Sequence, residues 1–302
     1  MPISGLHSAP SDRPITKVII PAAGIGSRLY PITRSQPKEM IPLGRKPTIQ
    51  WVVEELIGAG MGSLLFITGE NKRALEDHFD PAAGPFAEGD RTQPGVEFLY
   101  GGSLRILYIR QGGPHGLADA ILCGDTFADD DDVVVALGDV VLLEAQRGSL
   151  VRRLCATHRE LQAAATIAVN PVPDEDTSKY GIVCPAGNTG TSVRLSDVVE
   201  KPGPGEAPSN LAITGRYILS PVAFEYIRRL EPGHGGELQL TDALRAMLRD
   251  GLPVYAEPLA PDETTLDIGD IPGYWRSFMH VMLCDEILGE EMRRFAGELM
   301  GA

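Results

Sequence analysis

The chain has 302 residues, of which 43% are hydrophobic and 23% charged, as is typical of a globular protein with a sizeable buried core. The formal net charge of −14 disfavours nucleic acid and anionic membranes as partners, and no apolar run approaches the roughly 20 residues of a membrane span. The four cysteines form no Cys-x-x-Cys pair, so the sequence predicts a cytoplasmic protein with neither a zinc site nor a disulfide framework.

Strand and helix patterns alternate along the chain. Residues 1–14 mix Ser, Pro, Gly, His and Asp and are predicted to form a flexible leader. A short β-branched run at 17–21 predicts a buried strand, and apolar residues on one face of 48–60 predict a helix. The remaining pattern predicts strands at 63–68, 106–109, 133–137, 164–169, 193–199 and 213–219, and helices at 71–79, 117–127, 224–230, 238–248 and 274–299.

This alternation predicts an α/β, Rossmann-like fold of three layers, in which helices cover a mixed, mostly parallel central sheet. The Gly/Pro-rich segment 81–102 lacks periodicity and is predicted to be an insertion. No linker cuts the chain, so we expect a single domain over 15–265, followed by a segment, 266–302, that ends in helices. The tail is rich in apolar positions and predicts a homo-oligomer, a dimer or a tetramer; these positions are Phe278, Met282, Leu288, Met292 and Phe295.

The loop after the first predicted strand is suited to binding phosphate. Ala23, Gly24 and Gly26 let backbone N–H groups approach phosphate oxygens, and Arg28 adds a forked cation. The dinucleotide fingerprint needs a third glycine where Leu29 stands, and the Gly-Lys-Ser/Thr of P-loop enzymes is absent. The sequence therefore disfavours dehydrogenases and P-loop enzymes, but a tight structural turn stays possible on this evidence alone.

Three runs of residues, the first of which contains this loop, resemble a known family. The sequence IPAAGIGSR at 20–28, PKEMIPL at 37–43 and KP at 46–47 closely resembles the bacterial UTP–glucose-1-phosphate uridylyltransferases, whose plan the glucose-1-phosphate thymidylyltransferases share. The resemblance implies a nucleotidyltransferase fold with a nucleotide-binding half at 15–145 and a sugar-binding half at 146–265. It also implies that Arg28 and Lys38 hold the triphosphate and act in catalysis, while the loop backbone at Ala23, Gly24 and Gly26 contacts the nucleotide.

The resemblance implies that Gln111 reads the pyrimidine edge and that the backbone of Gly116 lies against the base. A Gln amide has both a donor and an acceptor, which suits such an edge. Residues 116–120 read GLADA, whereas uridylyltransferases usually have GLGHA and thymidylyltransferases share GLA. The choice between UTP and dTTP therefore stays open at this position.

Two aspartates are expected to bind Mg²⁺. Asp139 follows a predicted buried strand, and ligands bind at such strand ends in open α/β sheets. Asp267 lies in a Leu-Asp-Ile-Gly run, and the resemblance makes both residues metal ligands, with Asp139 also in the nucleotide site. Two carboxylates leave room for waters and phosphate oxygens around an octahedral Mg²⁺ ion.

The sugar-binding half contains the other expected contacts. The resemblance implies that Gly181 lets the backbone reach the sugar, that Glu200 accepts hydrogen bonds from its hydroxyls, and that Lys201 neutralises its phosphate and acts in catalysis. Taken alone, a Glu-Lys-Pro triplet is usually a surface turn.

Together these features predict Mg²⁺-dependent uridylyl transfer from UTP to α-D-glucose 1-phosphate, giving UDP-glucose and pyrophosphate. One alternative is a thymidylyltransferase that uses dTTP. Another is a non-catalytic nucleotide-sugar-binding regulator on the same fold, which has no need of the full set of charged residues.

Overall fold

The computed structural model describes residues 13–80, 104–189 and 192–301. The insertion expected at 81–102, and all but the last two residues of the expected leader, lie outside these ranges. The strands are β1 (Lys17–Ala22), β2 (Pro42–Leu43), β3 (Lys46–Pro47), β4 (Ser63–Thr68), β5 (Arg105–Arg110), β6 (Val133–Ala136), β7 (Val140–Leu143), β8 (Ala165–Pro171), β9 (Gly181–Thr189), β10 (Ser192–Glu200), β11 (Leu211–Leu219), β12 (Val254–Pro258) and β13 (Thr264–Asp267). The helices are α1 (Thr48–Gly58), α2 (Arg73–His78), α3 (Leu117–Leu122), α4 (Asp125–Ala128), α5 (Ser149–Glu160), α6 (Pro221–Ile227), α7 (Leu240–Arg249), α8 (Ile271–Leu283) and α9 (Gly289–Leu299).

A nine-stranded sheet in the order β5-β4-β1-β6-β11-β8-β12-β10-β9 forms the centre of the molecule. The first four strands are parallel neighbours, so their carboxyl ends lie at one edge. Beyond β6 only β8 and β12 are parallel, and the other neighbouring pairs are antiparallel. The sheet is therefore mixed, and the prediction of a mostly parallel sheet holds only for the first half. Strands β9 and β10 show the reason, because these two strands follow each other in the chain and pair antiparallel, whereas parallel neighbours need a long crossover connection.

Helices pack on both faces of this sheet. Ile19 of β1 belongs to an apolar cluster with α3, α4, α6 and α7, whereas Val18 and Ile20 belong to a second cluster with α1, α2 and α5. Successive side chains of a strand point to opposite faces, so β1 is buried on both sides. The structure therefore has three layers, helix, sheet and helix.

Two predicted helices are each divided in the structure. The helix expected at 117–127 breaks at Gly124, where a Cβ would lie 2.6 Å from the Cδ1 atom of Ile19. The long tail helix breaks between α8 and α9, where the Asp285 carboxylate accepts hydrogen bonds from the backbone N–H groups of Ile287 and Leu288. Side-chain hydrogen bonds of this kind compete with helix continuation.

A small second core joins α8 to the rest of the molecule. Val281 of α8 packs with Leu43, Val141 and Leu266, next to the two-stranded pairing of β7 with β13. The four cysteines are all free. Within the described ranges, no helix has the length and apolarity needed to span a membrane.

Candidate active site

Three loops meet at the carboxyl edge of the parallel strands. They follow β1, β4 and β5 and enclose a cavity of about 360 Å³, whose lining includes Gly24, Lys72 and Gln111. The first two loops pack closely, because a Cβ on Gly69 would lie only 2.8 Å from the carbonyl oxygen of Ala23. This edge is where open α/β sheets bind their ligands.

The Gly-rich loop needs its glycines because Lys38 lies against it. A Cβ on Gly24 would lie 3.3 Å from the Nζ atom of Lys38, and one on Gly26 would lie 3.2 Å from the Cβ of Lys38 and 2.9 Å from the Cγ2 of Thr33. Gly26 also has a φ of 72°, in the left-handed region that favours glycine. The loop thus brings its backbone close to the Lys38 ammonium group, as a phosphate site requires.

Lys38 and Asp139 form an ion pair in which Nζ lies 2.5 Å from Oδ2. Burial alone would lower the pKa of Lys38, but the negative charges of Asp139 and Glu39 outweigh it and the pKa is raised. Burial alone would likewise raise the pKa of Asp139, but the charge of Lys38 and its hydrogen bond keep that pKa below its ordinary value. Each group therefore keeps the other ionised.

Asp267 is brought next to Asp139 by the pairing of β13 with β7, in which Asp267 is opposite Val140. Its Oδ1 atom accepts a hydrogen bond of 2.7 Å from the backbone N–H of Gly269. Arg28 is also close, since a Cβ on Gly269 would lie 3.0 Å from its Nη2 atom. The residue is exposed at the mouth of the site, yet partial burial of the carboxyl group and then the charge of Asp139 raise its pKa.

The two carboxylates fit a magnesium site that is completed by substrate. Among the described residues, no group of three or more His, Cys, Asp or Glu side chains could hold a metal ion by itself. Magnesium, however, is commonly held by one or two carboxylates together with waters and substrate phosphates. Burial raises the pKa of Asp267 most and the charge of Asp139 adds to the effect, and a divalent cation would relieve the repulsion between the two carboxylates.

The expected sugar-site residues lie together between β9 and β10. Gly181 pairs with Glu200, and a Cβ on Gly181 would lie 2.9 Å from Cγ2 of Thr241 and 3.3 Å from Oε2 of Glu200. Thr241 donates a hydrogen bond of 3.0 Å to that same carboxylate oxygen. The Nζ atom of Lys201 lies 3.4 Å from Oε1 of Glu200, and its backbone has a φ of 43°. A non-glycine residue in this region is uncommon and is often found at functional sites.

Tyr180 links the two groups of residues. Its carbonyl oxygen accepts a hydrogen bond of 3.0 Å from the backbone N–H of Lys201. Burial, and then the negative charge of Asp267, raise the pKa of its hydroxyl, so the hydroxyl lies within electrostatic range of Asp267. The residues expected to bind nucleotide and metal are thus linked through Tyr180 to those expected to bind sugar phosphate.

Gln111 follows β5 and is 6% exposed. Its Nε2 atom donates to the carbonyl oxygen of Gly116 at 3.2 Å and to Oδ2 of Asp119 at 2.7 Å. The role of Gln111 toward a base stays a prediction, but in this structure both N–H bonds of its amide are used within the chain. Only the Oε1 acceptor is left for a ligand.

Gly116 and Ala118 have structural reasons for their small size. Gly116 has a φ of 105°, and a Cβ there would lie 2.5 Å from the carbonyl oxygen of Leu238. Glycine is therefore required by the neighbouring backbone, whatever contact it makes with a base. Ala118 is fully buried in the apolar cluster under α3, so the residue that resembles the thymidylyltransferases lies in the core.

A buried pair that the sequence did not reveal ties the Gly-rich loop to the turn that carries Lys38. The ammonium group of Lys72 donates to Oε2 of Glu39 at 2.7 Å and to the carbonyl oxygen of Gly24 at 2.8 Å. Lys72 lies inside a helix predicted from the sequence, and Glu39 is 33 positions away in the chain, so no local pattern indicates the pair. The pair fixes the position of the loop relative to Lys38.

A second buried pair supports Asp139. Arg216 and Glu55 form a bidentate contact of 2.9 and 2.7 Å, and both side chains are almost wholly buried. The same guanidinium group donates to the carbonyl oxygens of Leu137 (3.3 Å) and Val140 (2.8 Å), which flank Gly138 and Asp139. A fifth hydrogen bond, to the carbonyl oxygen of Gly215 at 3.1 Å, uses the last N–H. The short loop that presents Asp139 is therefore held on both sides.

Comparison with known proteins identifies the family of the chain. The family model described as "Nucleotidyl transferase" matches residues 17–282. The UTP–glucose-1-phosphate uridylyltransferase YngB of Bacillus subtilis (strain 168) is 39% identical over 273 residues, which are 89% of this chain and 90% of that protein. A UTP-bound UGPase from Acinetobacter baumannii aligns with a TM-score of 0.81 at 31% identity over 94% of this chain and 99% of that one. A UDP-glucose pyrophosphorylase complexed with UDP-glucose aligns with a TM-score of 0.79 at 34% identity, over 87% and 97%. The chain therefore belongs to the nucleotidyl transferase family, among the UTP–glucose-1-phosphate uridylyltransferases.

Proposed function

We propose that the protein transfers the uridylyl group of UTP to α-D-glucose 1-phosphate, releasing pyrophosphate and forming UDP-glucose in a Mg²⁺-dependent reaction. The observation that carries this proposal is the convergence of Arg28, Lys38, Asp139 and Asp267 beside the Gly-rich loop. Such a group of cations and carboxylates suits a site that must bring two phosphate-bearing anions together.

The reaction is an in-line displacement at phosphorus. A phosphate oxygen of glucose 1-phosphate forms a bond to the α-phosphorus of UTP, and the bond from that phosphorus to the bridging oxygen of the β-phosphate breaks. The electron pair leaves with pyrophosphate. The attacking phosphate is already ionised near neutral pH, so the reaction needs no general base and no covalent enzyme intermediate. Catalysis then rests on positioning and on neutralising charge.

The nucleotide side of the site would hold the triphosphate. Backbone N–H groups of the Gly-rich loop, together with Arg28 and Lys38, are placed to contact phosphate oxygens. Mg²⁺ held by Asp139 and Asp267 would supply positive charge to the phosphates and help to orient them. Lys38 would exchange its contact with Asp139 for one with a phosphate oxygen as the nucleotide binds.

The sugar side would place the nucleophile. Lys201 is 42% exposed and only loosely paired with Glu200, so its ammonium group is free to contact the sugar phosphate. Glu200, whose Oε2 already accepts from Thr241, would accept hydrogen bonds from sugar hydroxyls with its remaining lone pairs. Gly181 has no side chain, so the sugar could approach the strand backbone beside Glu200.

A substrate panel tests the proposal. Pyrophosphate release would be measured with UTP, dTTP, CTP, ATP and GTP, each combined with several sugar 1-phosphates. We expect the highest kcat/KM for UTP with glucose 1-phosphate, a modestly lower value for dTTP, and little turnover with purine nucleotides. A higher kcat/KM for dTTP than for UTP would make the protein a thymidylyltransferase, and binding without turnover in every combination would make it a regulator.

Two further expectations belong to this proposal. The parallel arrangement of β5, β4, β1 and β6 supports a Rossmann-like description of the nucleotide-binding half. The C-terminal helices and the residues that adjoin them expose apolar side chains, which supports a homo-oligomer. These exposed side chains are Trp275, Met279, Ile287, Leu288, Phe295, Leu299 and Met300. A cytoplasmic location stays a prediction from the sequence.

A further inference from the structure

The carboxamide of Gln111 is held in one orientation by two acceptors. Its Nε2 atom contacts Oδ2 of Asp119 at 2.7 Å and the carbonyl oxygen of Gly116 at 3.2 Å. A carboxylate and a backbone carbonyl accept hydrogen bonds and have no N–H to donate, so neither would be paired with the amide oxygen instead. The amide nitrogen therefore faces Asp119 and Gly116, and the amide oxygen is left over.

The residue that carries this oxygen lines the cavity. Gln111 lines the cavity together with Gly112 and Gly24, and in the part of the chain that the structure describes its Oε1 atom accepts no hydrogen bond. Polar atoms that are largely withdrawn from water usually have a hydrogen-bond partner, so this oxygen is available to a bound ligand. The side chain thus offers a ligand one acceptor and no donor.

Asp119 has little freedom to move away from Gln111. It lies in the first turn of α3, where the backbone N–H of Ala118 donates to the carbonyl oxygen of Leu238 at 3.0 Å. The N–H of Leu238 in turn donates to the carbonyl oxygen of His115 at 2.8 Å. Ala118 is buried in the core, so the start of α3 is fixed by backbone hydrogen bonds and by packing.

We propose that Asp119 is a specificity-determining positioning residue, which fixes Gln111 as an acceptor so that the site selects a nucleobase with an N–H on its pairing edge. The inference rests on the proposed function, because it assigns this cavity to the base of the nucleotide. Uracil and thymine have an N3–H that the Gln111 oxygen can accept from. Cytosine has an unprotonated N3, which would meet that oxygen as acceptor against acceptor.

The selection of uracil over cytosine depends on the negative charge of Asp119. A neutral Asn at this position could donate as well as accept, and the Gln111 amide could then turn and present its N–H groups to N3 of cytosine. A site that leaves buried polar groups unpaired discriminates strongly against the wrong ligand. Discrimination between uracil and cytosine therefore depends on Asp119 as well as on Gln111.

The test is a double-mutant cycle on nucleotide binding. Dissociation constants of UTP and CTP would be measured by calorimetry, without sugar phosphate, for the wild type, Asp119→Asn, Gln111→Ala and the double variant. We expect the wild type to prefer UTP and Asp119→Asn to reduce that preference roughly tenfold, the value of about one hydrogen bond. In the Gln111→Ala background, Asp119→Asn should leave the UTP/CTP ratio unchanged, because Asp119 acts only through Gln111. Asp125→Asn, a matched change of a surface carboxylate that pairs with Arg228, should leave the wild-type ratio intact.

A merely structural role of Asp119 would weaken UTP and CTP binding equally, and that result would overturn the proposal. An unchanged ratio in Asp119→Asn would overturn it as well, as would an equal change of the ratio in the Gln111→Ala background. Asp119→Ala gives the same comparison if the Asn variant fails to fold. Because the readout is binding, the proposed transfer reaction can fail in the substrate panel while this inference stands, and the reverse also holds.

Discussion

The Nζ atom of Lys38 lies 2.5 Å from Oδ2 of Asp139, so the proposed triphosphate-binding cation and the proposed metal ligand are bound to each other. The pair raises the pKa of Lys38, against the effect of burial, and keeps the pKa of Asp139 low. Both groups are therefore charged at neutral pH and ready to separate when a metal-bound triphosphate provides each with a new partner.

Asp139→Asn and Asp267→Asn should each lower kcat at least roughly a hundredfold. Removal of one group that stabilises the charge of the transition state typically lowers kcat by this much. Asn keeps the shape and removes the charge that would hold Mg²⁺. Without Mg²⁺, Asp139→Asn should bind UTP more tightly than the wild type, because Lys38 is released. Asp131→Asn, which breaks a 2.8 Å surface pair with Lys17, is the control. Full activity of either variant at low Mg²⁺ would remove that residue from the metal site.

The thermal stability of Asp267→Asn shows whether a loss of activity in this variant comes from the site or from unfolding. Partial burial and the charge of Asp139 raise the folded-state pKa of Asp267, so its ionised form disfavours the fold. The group adds stability below its ordinary pKa of about 4, and this is lost as the pH rises through the raised pKa. In metal-free thermal unfolding, Asp267→Asn should therefore be slightly more stable than the wild type at pH 7, and the difference should vanish in acid. A less stable variant at pH 7 would contradict the pKa direction.

Lys201→Ala should lower turnover strongly and raise the KM for glucose 1-phosphate, while UTP binding is largely kept. Loss of a charge-assisted hydrogen bond to phosphate should cost roughly 1.5–3 kcal/mol. Steady-state kinetics and UTP calorimetry measure the two effects separately. Lys179→Ala, which removes an exposed lysine paired with Asp176, is the matched control. Near-wild-type kinetics in a folded Lys201→Ala protein would refute the assignment.

The buried pair of Arg216 and Glu55 should matter far more for stability than an exposed pair of the same chemistry. Arg216→Met or Glu55→Gln leaves a buried charge unpaired and should cost roughly 3–5 kcal/mol of unfolding free energy. The double variant should lose less than the sum of the single losses. Urea unfolding measures these energies.

The bidentate but half-exposed pair of Arg245 and Asp197 is the control, and Asp197→Ala should cost at most about 1 kcal/mol. Because Arg216 also holds the Asp139 loop, hydrogen exchange at Val140 should rise in Arg216→Met. Single variants as stable as the wild type would contradict the proposed role.

The apolar surface of α9 should stabilise an oligomer. Phe295 is 53% exposed on this helix, so Phe295→Asp should shift the protein toward monomer in light scattering with little change in thermal stability. Glu298→Gln changes one charge on the same helix and should leave the mass unchanged. Phe278, in contrast, packs against the protein's own second core, so a truncation that removes α8 would test folding rather than assembly. A wild type that is already monomeric would refute the expectation.

Local features of the site could be predicted from the sequence. The strand at 17–21, the Gly-rich loop and the positions of Gly24 and Gly26 follow from short-range patterns, because a β-branched run and a small-residue turn act over a few residues. The sequence also predicted that Glu200 and Lys201, which are neighbours in the chain, belong to the same site. These predictions needed no knowledge of which strands pair.

The supporting contacts could not be predicted, because they join residues far apart in the chain. Arg216 and Glu55 are 161 residues apart, and neither lies in a motif that suggests the other. Asp139 and Asp267 meet only because β7 pairs with β13, and neither strand was predicted. The family resemblance supplied their common role, but the ion pair of Asp139 with Lys38 and the contact of Asp119 with Gln111 became visible only in the structure.

The central claim is tested most directly by analysing the products of the wild-type protein incubated with UTP, α-D-glucose 1-phosphate and Mg²⁺. We expect UDP-glucose and pyrophosphate in equal amounts, with neither formed when glucose 1-phosphate or Mg²⁺ is left out, and with little of either in Asp139→Asn. Pyrophosphate without an equal amount of UDP-glucose, or no product at all from a folded protein that binds UTP, would contradict uridylyl transfer as the function.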